Sequence, residues 1–333
     1  MLRLPSFEYV SPETVEEVLA ILAETPDARL VAGGTDLLPN LKHGIEEAGT
    51  IVSLSRLPGL SAVTERDDGS LELGAMITLE ALAADETVRA RAPSLAQAVG
   101  LVAGPHHRRM GTLGGNVCLN TRCVYINQTH FWREALGYCL KKDGTACHVV
   151  KKGKRCVAAA SNDSAPVLTT LDASLVVASA ARGERTIPVA DFYVFDGVNN
   201  KTLEPDEMLV KVIVPAPAKG LHAAYAKLRP RDSIDFPRLS VAVAYELPDE
   251  STVSQLRIVL SALAAKPIAL RKVTDMAEGR APTEELWTEL ADSAYAQAHP
   301  LTNIDGDATY RREMVPVYVK RALRDALEHG ASR

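Results

Sequence analysis

The chain has 333 residues, 37 basic against 42 acidic side chains for a formal charge of −5, and 47% of its residues are hydrophobic. At about 100 to 200 residues per domain it has room for two or three domains with cores of their own, which excludes a scaffold dependent on disulfide staples. Mild acidity excludes a general nucleic-acid binder, and the lack of a leader-like amino terminus or of an apolar run of about 18 residues gives the expectation of a cytoplasmic chain that does not span a membrane.

In chain order, Ser11 and Pro12 read as a helix start, and Val15, Val18, Leu19 and Leu22 follow at helical spacing on one face. Arg29 to Ala32 is a strand-like run that stops at Gly33-Gly34-Thr35-Asp36, followed by a helix-like Leu37 to Lys42 and a second apolar run, Ile51 to Leu54. Asp67-Asp68-Gly69-Ser70, between Val63 and Leu71 to Leu73, is a hairpin signal. Thr78 to Val102 predicts consecutive short helices broken at Pro93, then a basic turn, His106-His107-Arg108-Arg109, and a glycine-rich turn. Past a cysteine-rich stretch, Ala165 to Leu171 predicts a helix, with strands at Ser174 to Ser179 and Met208 to Val214. Pro215 and Pro217 ahead of Lys219-Gly220 mark the best domain boundary, since two prolines near a glycine end any ladder or helix. Ala223 to Leu228, Leu239 to Leu247 and Gln255 to Ala262 then read as strands, and Ile268 to Glu278, Thr283 to Ala296 and Ala308 to His329 as helices. The last third is therefore an antiparallel sheet carrying helices, and the fold class is α+β.

Two loops share one grammar: Val31-Ala32-Gly33-Gly34-Thr35-Asp36, and Gly111-Thr112-Leu113-Gly114-Gly115-Asn116 about 80 residues later. Adjacent glycines let successive backbone N–H groups point into one concavity and approach an anion closely, which suits a pyrophosphate, and Thr35, Thr112 and Asn116 can add side-chain bonds. A pair of tight turns is the alternative. Neither loop is a Walker A motif or a GxGxxG fingerprint. The basic turn before the second loop is either solvated or helps to neutralise the diphosphate.

All five cysteines, Cys118, Cys123, Cys139, Cys147 and Cys156, fall in one segment. The gaps after Cys123 are too long for CxxC knuckles or a bacterial ferredoxin run, so spacing does not name a metal. Residues 121–160 carry eight basic residues (Arg122, Arg133, Lys141, Lys142, Lys151, Lys152, Lys154, Arg155) against Glu134 and Asp143, in a chain that is acidic overall. Four thiolates around a cubane leave an anionic assembly that nearby cations stabilise and tune. Tyr125, Phe131, Trp132 and Tyr138 supply apolar cover. A metal-organised segment fits these residues best, with a solvated charge run, a zinc-stabilised binding or assembly module, and disulfides as alternatives. His148 is a candidate ligand or neighbour of ligands, and Cys118 a small buried residue near the nucleotide.

The pattern Leu30-Val31-Ala32-Gly33-Gly34-Thr35-Asp36, then Gly111-Thr112-Leu113-Gly114-Gly115-Asn116-Val117-Cys118, then Asn162-Asp163-Ser164-Ala165-Pro166 resembles the FAD-binding medium subunits of molybdenum hydroxylases of the xanthine dehydrogenase class. The resemblance spans nearly the whole chain, down to Tyr310-Arg311-Arg312 and Lys320-Arg321-Ala322-Leu323 of the closing helix. It implies a two-part FAD-binding domain over 1–216 and a flavoprotein C-terminal domain over 220–330. Arg29 to Asp36 and Gly111 to Asn116 would grip the FAD, Asp163 would bond the cofactor, and Lys227 matches a flavin-contacting lysine, with an ordinary strand lysine as the alternative. Where many relatives read Asp-Leu-Ala-Pro, this chain has Asp163-Ser164-Ala165-Pro166.

Most such subunits run directly from the second glycine loop to the aspartate turn, whereas here residues 121–160 intervene. An extra loop at that position resembles the 4-hydroxybenzoyl-CoA reductases, and the order Cys123, Cys139, Cys147, Cys156 is similar to their [4Fe-4S] ligand set. The resemblance implies a subunit without acid–base machinery of its own, an oxidoreductase part that takes electrons from ferredoxin. It also implies partners, one holding the molybdenum cofactor and binding 4-hydroxybenzoyl-CoA, another holding [2Fe-2S] clusters, in a dimer of heterotrimers. The FAD subunit of another molybdenum hydroxylase is the rival within the family. The residues themselves agree on one point: no G-x-S-x-G, HExxH or evident triad is present.

Overall fold

The computed structural model describes residues 2–329. β1 (Glu8–Val10), α1 (Val15–Glu24), β2 (Ala28–Val31), α2 (Leu37–Lys42) and β3 (Thr50–Ser53) form a small parallel unit with strand order β1-β3-β2. The first helix starts later than Ser11-Pro12 suggests, because Thr14 is the residue whose side chain accepts from the Glu17 N–H. Val18, Leu19 and Leu22 bury its inner face, as the spacing predicts.

A second unit follows. β4 (Val63–Glu65) and β5 (Leu71–Gly74) make the hairpin; α3 (Leu79–Ala84), α4 (Glu86–Arg91), α5 (Pro93–Gly100), α6 (Pro105–Met110), α7 (Leu113–Val117), α8 (His130–Ala135) and α9 (Ser164–Thr170) come next. β6 (Ser174–Ser179), β7 (Gly183–Pro188), α10 (Val189–Phe192) and β8 (Met208–Val214) complete an antiparallel five-stranded sheet of order β4-β5-β8-β6-β7. The breaks at Asp85 and Ala92 divide the helical stretch, and Pro93 opens α5 at a position where its missing N–H costs nothing. Two readings are corrected here. The basic turn is the short helix α6, and four of the six residues of the second glycine turn lie in α7, capped by Thr112 through the Gly115 N–H.

The third unit is the antiparallel sheet β12-β11-β10-β9, from β9 (Leu221–Leu228), β10 (Leu239–Glu246), β11 (Ser254–Ser261) and β12 (Ile268–Ala269), with α11 (Val273–Ala277), α12 (Glu284–Gln297) and α13 (Ala308–His329). The helix expected over Ile268 to Glu278 is instead strand β12 followed by α11, because Ile268 and Ala269 pair with Leu260 and Val259. β10 is buried on both faces. Leu239, Val241, Val243 and Tyr245 pack with Trp287, Leu290, Val319 and Leu323 of the helices, while Ala242 and Ala244 join the core of the second unit. That face carries small residues, so α9 and the second unit approach the sheet closely. Among the described residues no helix is long and apolar enough to cross a membrane.

Candidate functional site

The two glycine loops, far apart in sequence, are in contact. A methyl group on Gly33 would fall 1.8 Å from the Met110 carbonyl oxygen, and one on Gly111 would lie 3.6 Å from Thr35 Oγ1. Gly34 has φ +69°, a left-handed conformation that favours glycine. The loops therefore present one continuous backbone surface at the C-terminal end of β2.

The side chains divide. Val31 is core, Leu30 packs against the core beneath α1, and Arg29 donates to the Ala28 carbonyl. In the second loop Leu113 is fully buried and Gly114 sits against Ala75, with no room for a side chain. Asn116 turns inward, its Oδ1 accepting from the Ser164 N–H at 3.1 Å and the Ser164 hydroxyl at 2.6 Å. Its amide oxygen thus ties the loop to α9. Ala32, Gly33, Gly34 and Asp36 are half-buried, and Thr35 and Gly115 are exposed.

Asp163, the residue before α9, is 2% exposed. Its Oδ1 accepts from the Tyr225 hydroxyl at 2.5 Å and its Oδ2 from the Lys227 ammonium at 3.0 Å, so both oxygens are engaged within the protein. Lys227 is thus held in a buried ion pair. Its Nζ also donates to the Leu101 carbonyl at 3.0 Å, joining β9 to the end of α5. Burial raises the Asp163 carboxyl and lowers the Lys227 ammonium from their ordinary values, with the opposite charge beside each opposing the shift.

Sequence reasoning did not single out Arg122. Its guanidinium pairs with Asp36 of the first glycine loop and lies 4.7 Å from the centre of the Phe236 ring; burial brings its pKa down to about 10. Only the sign of its charge was visible in the sequence, and its partner lies 86 positions away. Of the basic turn considered for a diphosphate, Arg108 donates to the Val102 carbonyl and Arg109 to Glu80.

The next residue, Cys123, opens a second centre. Cys123, Cys139, Cys147 and Cys156 all line one cavity, together with Tyr125, Ile126, Lys141 and His148. Its volume is about 20 Å³, room for about one water molecule. Among the described residues no three His, Cys, Asp or Glu side chains are grouped as ligands of a metal ion. The Val150 N–H donates to Cys147 Sγ at 3.4 Å and the Ala158 N–H to Cys156 Sγ at 3.5 Å. Burial pushes the Cys123 thiol up to about 11 and raises Cys156 as well. His148 Nε2 lies 2.5 Å from the Tyr138 carbonyl oxygen, so that nitrogen is engaged with the backbone. Cys118 stands apart from the cavity, its backbone N–H bonded to the Gly114 carbonyl and its thiol raised by burial.

The segment is anchored to the first unit and to the loop after α10. Arg133 is 2% exposed and donates to the His43 and Gly44 carbonyls, and Lys142 pairs with Glu47. Gly197 is pressed against the cavity wall, where a methyl group would fall 2.6 Å from Cys156 Sγ.

Comparisons with known proteins agree along the length of the chain. The model for the FAD binding domain in molybdopterin dehydrogenase matches residues 5–217, and that for the CO dehydrogenase flavoprotein C-terminal domain matches residues 223–326. The carbon monoxide dehydrogenase medium chain of Hydrogenophaga pseudoflava is 32% identical over 326 residues, 97% of either chain. The xanthine dehydrogenase FAD-binding subunit of Escherichia coli O157:H7 is 26% identical, covering 96% of this chain and 95% of that one. A solved structure of carbon monoxide dehydrogenase from H. pseudoflava, lacking the Mo-pyranopterin moiety, superposes with a TM-score of 0.81 at 29% identity, over 99% of this chain and 100% of that one.

Proposed function

The chain belongs to the FAD-binding medium subunits of the molybdenum hydroxylase family, and from that premise we propose that it is the FAD and [4Fe-4S] electron-transfer subunit of a 4-hydroxybenzoyl-CoA reductase. The observation that carries the finer reading is the cavity walled by Cys123, Cys139, Cys147 and Cys156, one residue from a side chain that grips the first glycine loop. Bound at these two centres, a cluster and FAD would relay single electrons from reduced ferredoxin toward the [2Fe-2S] clusters and molybdenum of the partner subunits, for the dehydroxylation of 4-hydroxybenzoyl-CoA to benzoyl-CoA.

Both groups suit the residues present. For FAD, residues 1–216 supply two touching glycine loops whose backbones approach without intervening side chains, and Asp163, next to the Ser164 that holds Asn116 of the second loop, pairs with Lys227 of the unit over 220–330. For the cluster, four cysteines line one cavity, which supplies the donor type and number that a [4Fe-4S] centre takes. Two backbone N–H groups already point at cysteine sulfurs. The wider reading includes a cytoplasmic dimer of heterotrimers.

Anaerobic purification with the partner subunits, followed by iron, labile sulfide and FAD analysis, tests the proposal. About four iron and about four sulfide per copy of this chain beyond the [2Fe-2S] content, with about one FAD, is the expected result. Cys139→Ser should lose that iron while FAD remains, since the two centres use different loops. Zinc at about one per chain without the additional sulfide would overturn the cluster. A second reading, the FAD subunit of another molybdenum hydroxylase with the cysteine segment docking an acceptor, is favoured by the names of the relatives: carbon monoxide dehydrogenase, xanthine dehydrogenase and aldehyde oxidoreductase. Turnover of 4-hydroxybenzoyl-CoA under reducing conditions, against oxidation of carbon monoxide, xanthine or aldehydes, separates the two.

A further inference from the structure

Of the eight cations in residues 121–160, seven are accounted for by a partner or by solvent. Arg122 pairs with Asp36, Lys142 with Glu47, and Arg133 is bound to the His43 and Gly44 carbonyls. Lys151, Lys152, Lys154 and Arg155 are exposed. Lys141 is different. It is half-buried, it lines the cavity of the four thiols, and its Nζ donates to Asn120 Oδ1 at 2.9 Å, Thr121 Oγ1 at 2.7 Å and the Gly197 carbonyl at 2.5 Å.

All three acceptors are neutral. Among the described residues no carboxylate lies within 4.0 Å of this ammonium. The acid nearest in the hydrogen-bond network, Glu46, is reached through Asn120, whose Nδ2 donates to Glu46 Oε1 at 2.9 Å. A cation drawn out of water without a counter-anion is unfavourable, and three neutral oxygens solvate it without cancelling its charge. The Gly197 carbonyl that receives the proton belongs to the residue packed against Cys156 Sγ, and the Gly197 N–H donates to the Cys156 carbonyl. The ammonium is thereby fixed beside groups that become anionic when they hold iron.

We propose that Lys141 is the built-in counter-cation of the thiolate-bound [4Fe-4S] cluster and holds the cluster's reduction potential up. The inference rests on the cluster reading given above. Reduction adds one electron from an external donor to an assembly that is already anionic, with no bond formed or broken. A fixed positive charge stabilises the reduced form more than the oxidised one, and a site drawn away from water screens it poorly. The exposed cations at 151, 152, 154 and 155 act through solvent and salt, so their influence is weaker.

The test is an anaerobic redox titration of the purified complex with dithionite, following the low-temperature EPR signal of the reduced cluster, after iron and sulfide have been counted. With iron and sulfide unchanged, Lys141→Met is expected to move the midpoint to a more negative potential, Lys141→Arg to stay near the wild type, and Lys151→Met to shift it far less. If Lys141→Met does not retain iron, Lys141→Gln, which keeps hydrogen-bond donors without the charge, is titrated in its place with the same expectation. A neutral variant with a full cluster and the wild-type midpoint overturns the role of Lys141 and leaves the cluster standing. Wild-type protein without the additional iron and sulfide overturns the cluster reading, and this inference with it.

Discussion

Asp163 and Lys227 lie 64 positions apart and meet with side chains only 3% and 1% exposed. A buried pair of this kind is more informative when broken than when counted. Asp163→Asn leaves the Lys227 ammonium with the Leu101 carbonyl and a neutral amide, and breaking a buried ion pair costs about 3–5 kcal/mol. The variant should melt well below the wild type by calorimetry, and adding Lys227→Met should recover much of the loss, because the stranded charge is then gone. Equal melting temperatures for Asp163→Asn and the double variant would show that the pair is not coupled. Part of this was legible beforehand. Asp163 stood in a recognisable motif, and strand alternation places Lys227 on the same face as Tyr225 and Ala223, the face turned to the second unit. The partner itself was not legible, because pairing across chain-distant elements leaves no local pattern. The same limit hid Arg122 and Lys141, whose charges were countable while their acceptors lie on other loops.

At the scale of elements, hydrophobic period worked where one face is buried and failed where little is. The bounds of α2, β6, β8 and α13 match the sequence reading, and each carries an apolar run or stripe. β7 was missed because Gly183–Pro188 is an edge strand with only Ile187 buried, and α8 because Arg133 is its one buried residue. The double burial of β10 has a measurable consequence. Ala242 is fully buried on the face that meets the second unit, and extra methylenes in a packed site cost about 1–3 kcal/mol. Ala242→Leu should therefore lower the melting temperature and weaken FAD retention together, since it pushes β9 and its Lys227 away from Asp163. Loss of stability with unchanged FAD content would show that the sheet's fit against α9 does not position the glycine-loop centre.

For the whole molecule, stability is unevenly distributed. The three sheets rest on extended apolar cores, whereas the cysteine segment has a small one: Cys123, Ile126 and Ala158, with Tyr125, Val149 and other cysteines around it. So little apolar burial makes this the segment whose order the proposed cluster would support most. If the segment holds the proposed cluster, destroying that cluster with ferricyanide should make trypsin cut faster at Lys151, Lys152, Lys154 and Arg155 while the flanking portions stay intact. Unchanged cleavage would mean that the segment is held by its ties to the rest of the protein, at Gly44, Glu47, Gly197 and Asn303 among them.

The neck of that segment is narrow. The Arg122 N–H donates to the Ala159 carbonyl at 2.8 Å and the Ala159 N–H returns to the Arg122 carbonyl at 2.7 Å. Residues 123–158 therefore start and finish at one doorway, while their side chains and backbone also rest on Gly44, Glu47, Gly197 and Asn303. A long loop whose ends already meet adds little closure entropy for each further residue. In engineering terms such a piece is separable: it can be lengthened or excised at one junction, and the host positions that must then be re-satisfied are the few that grip it, Gly44, Glu47, Gly197 and Asn303.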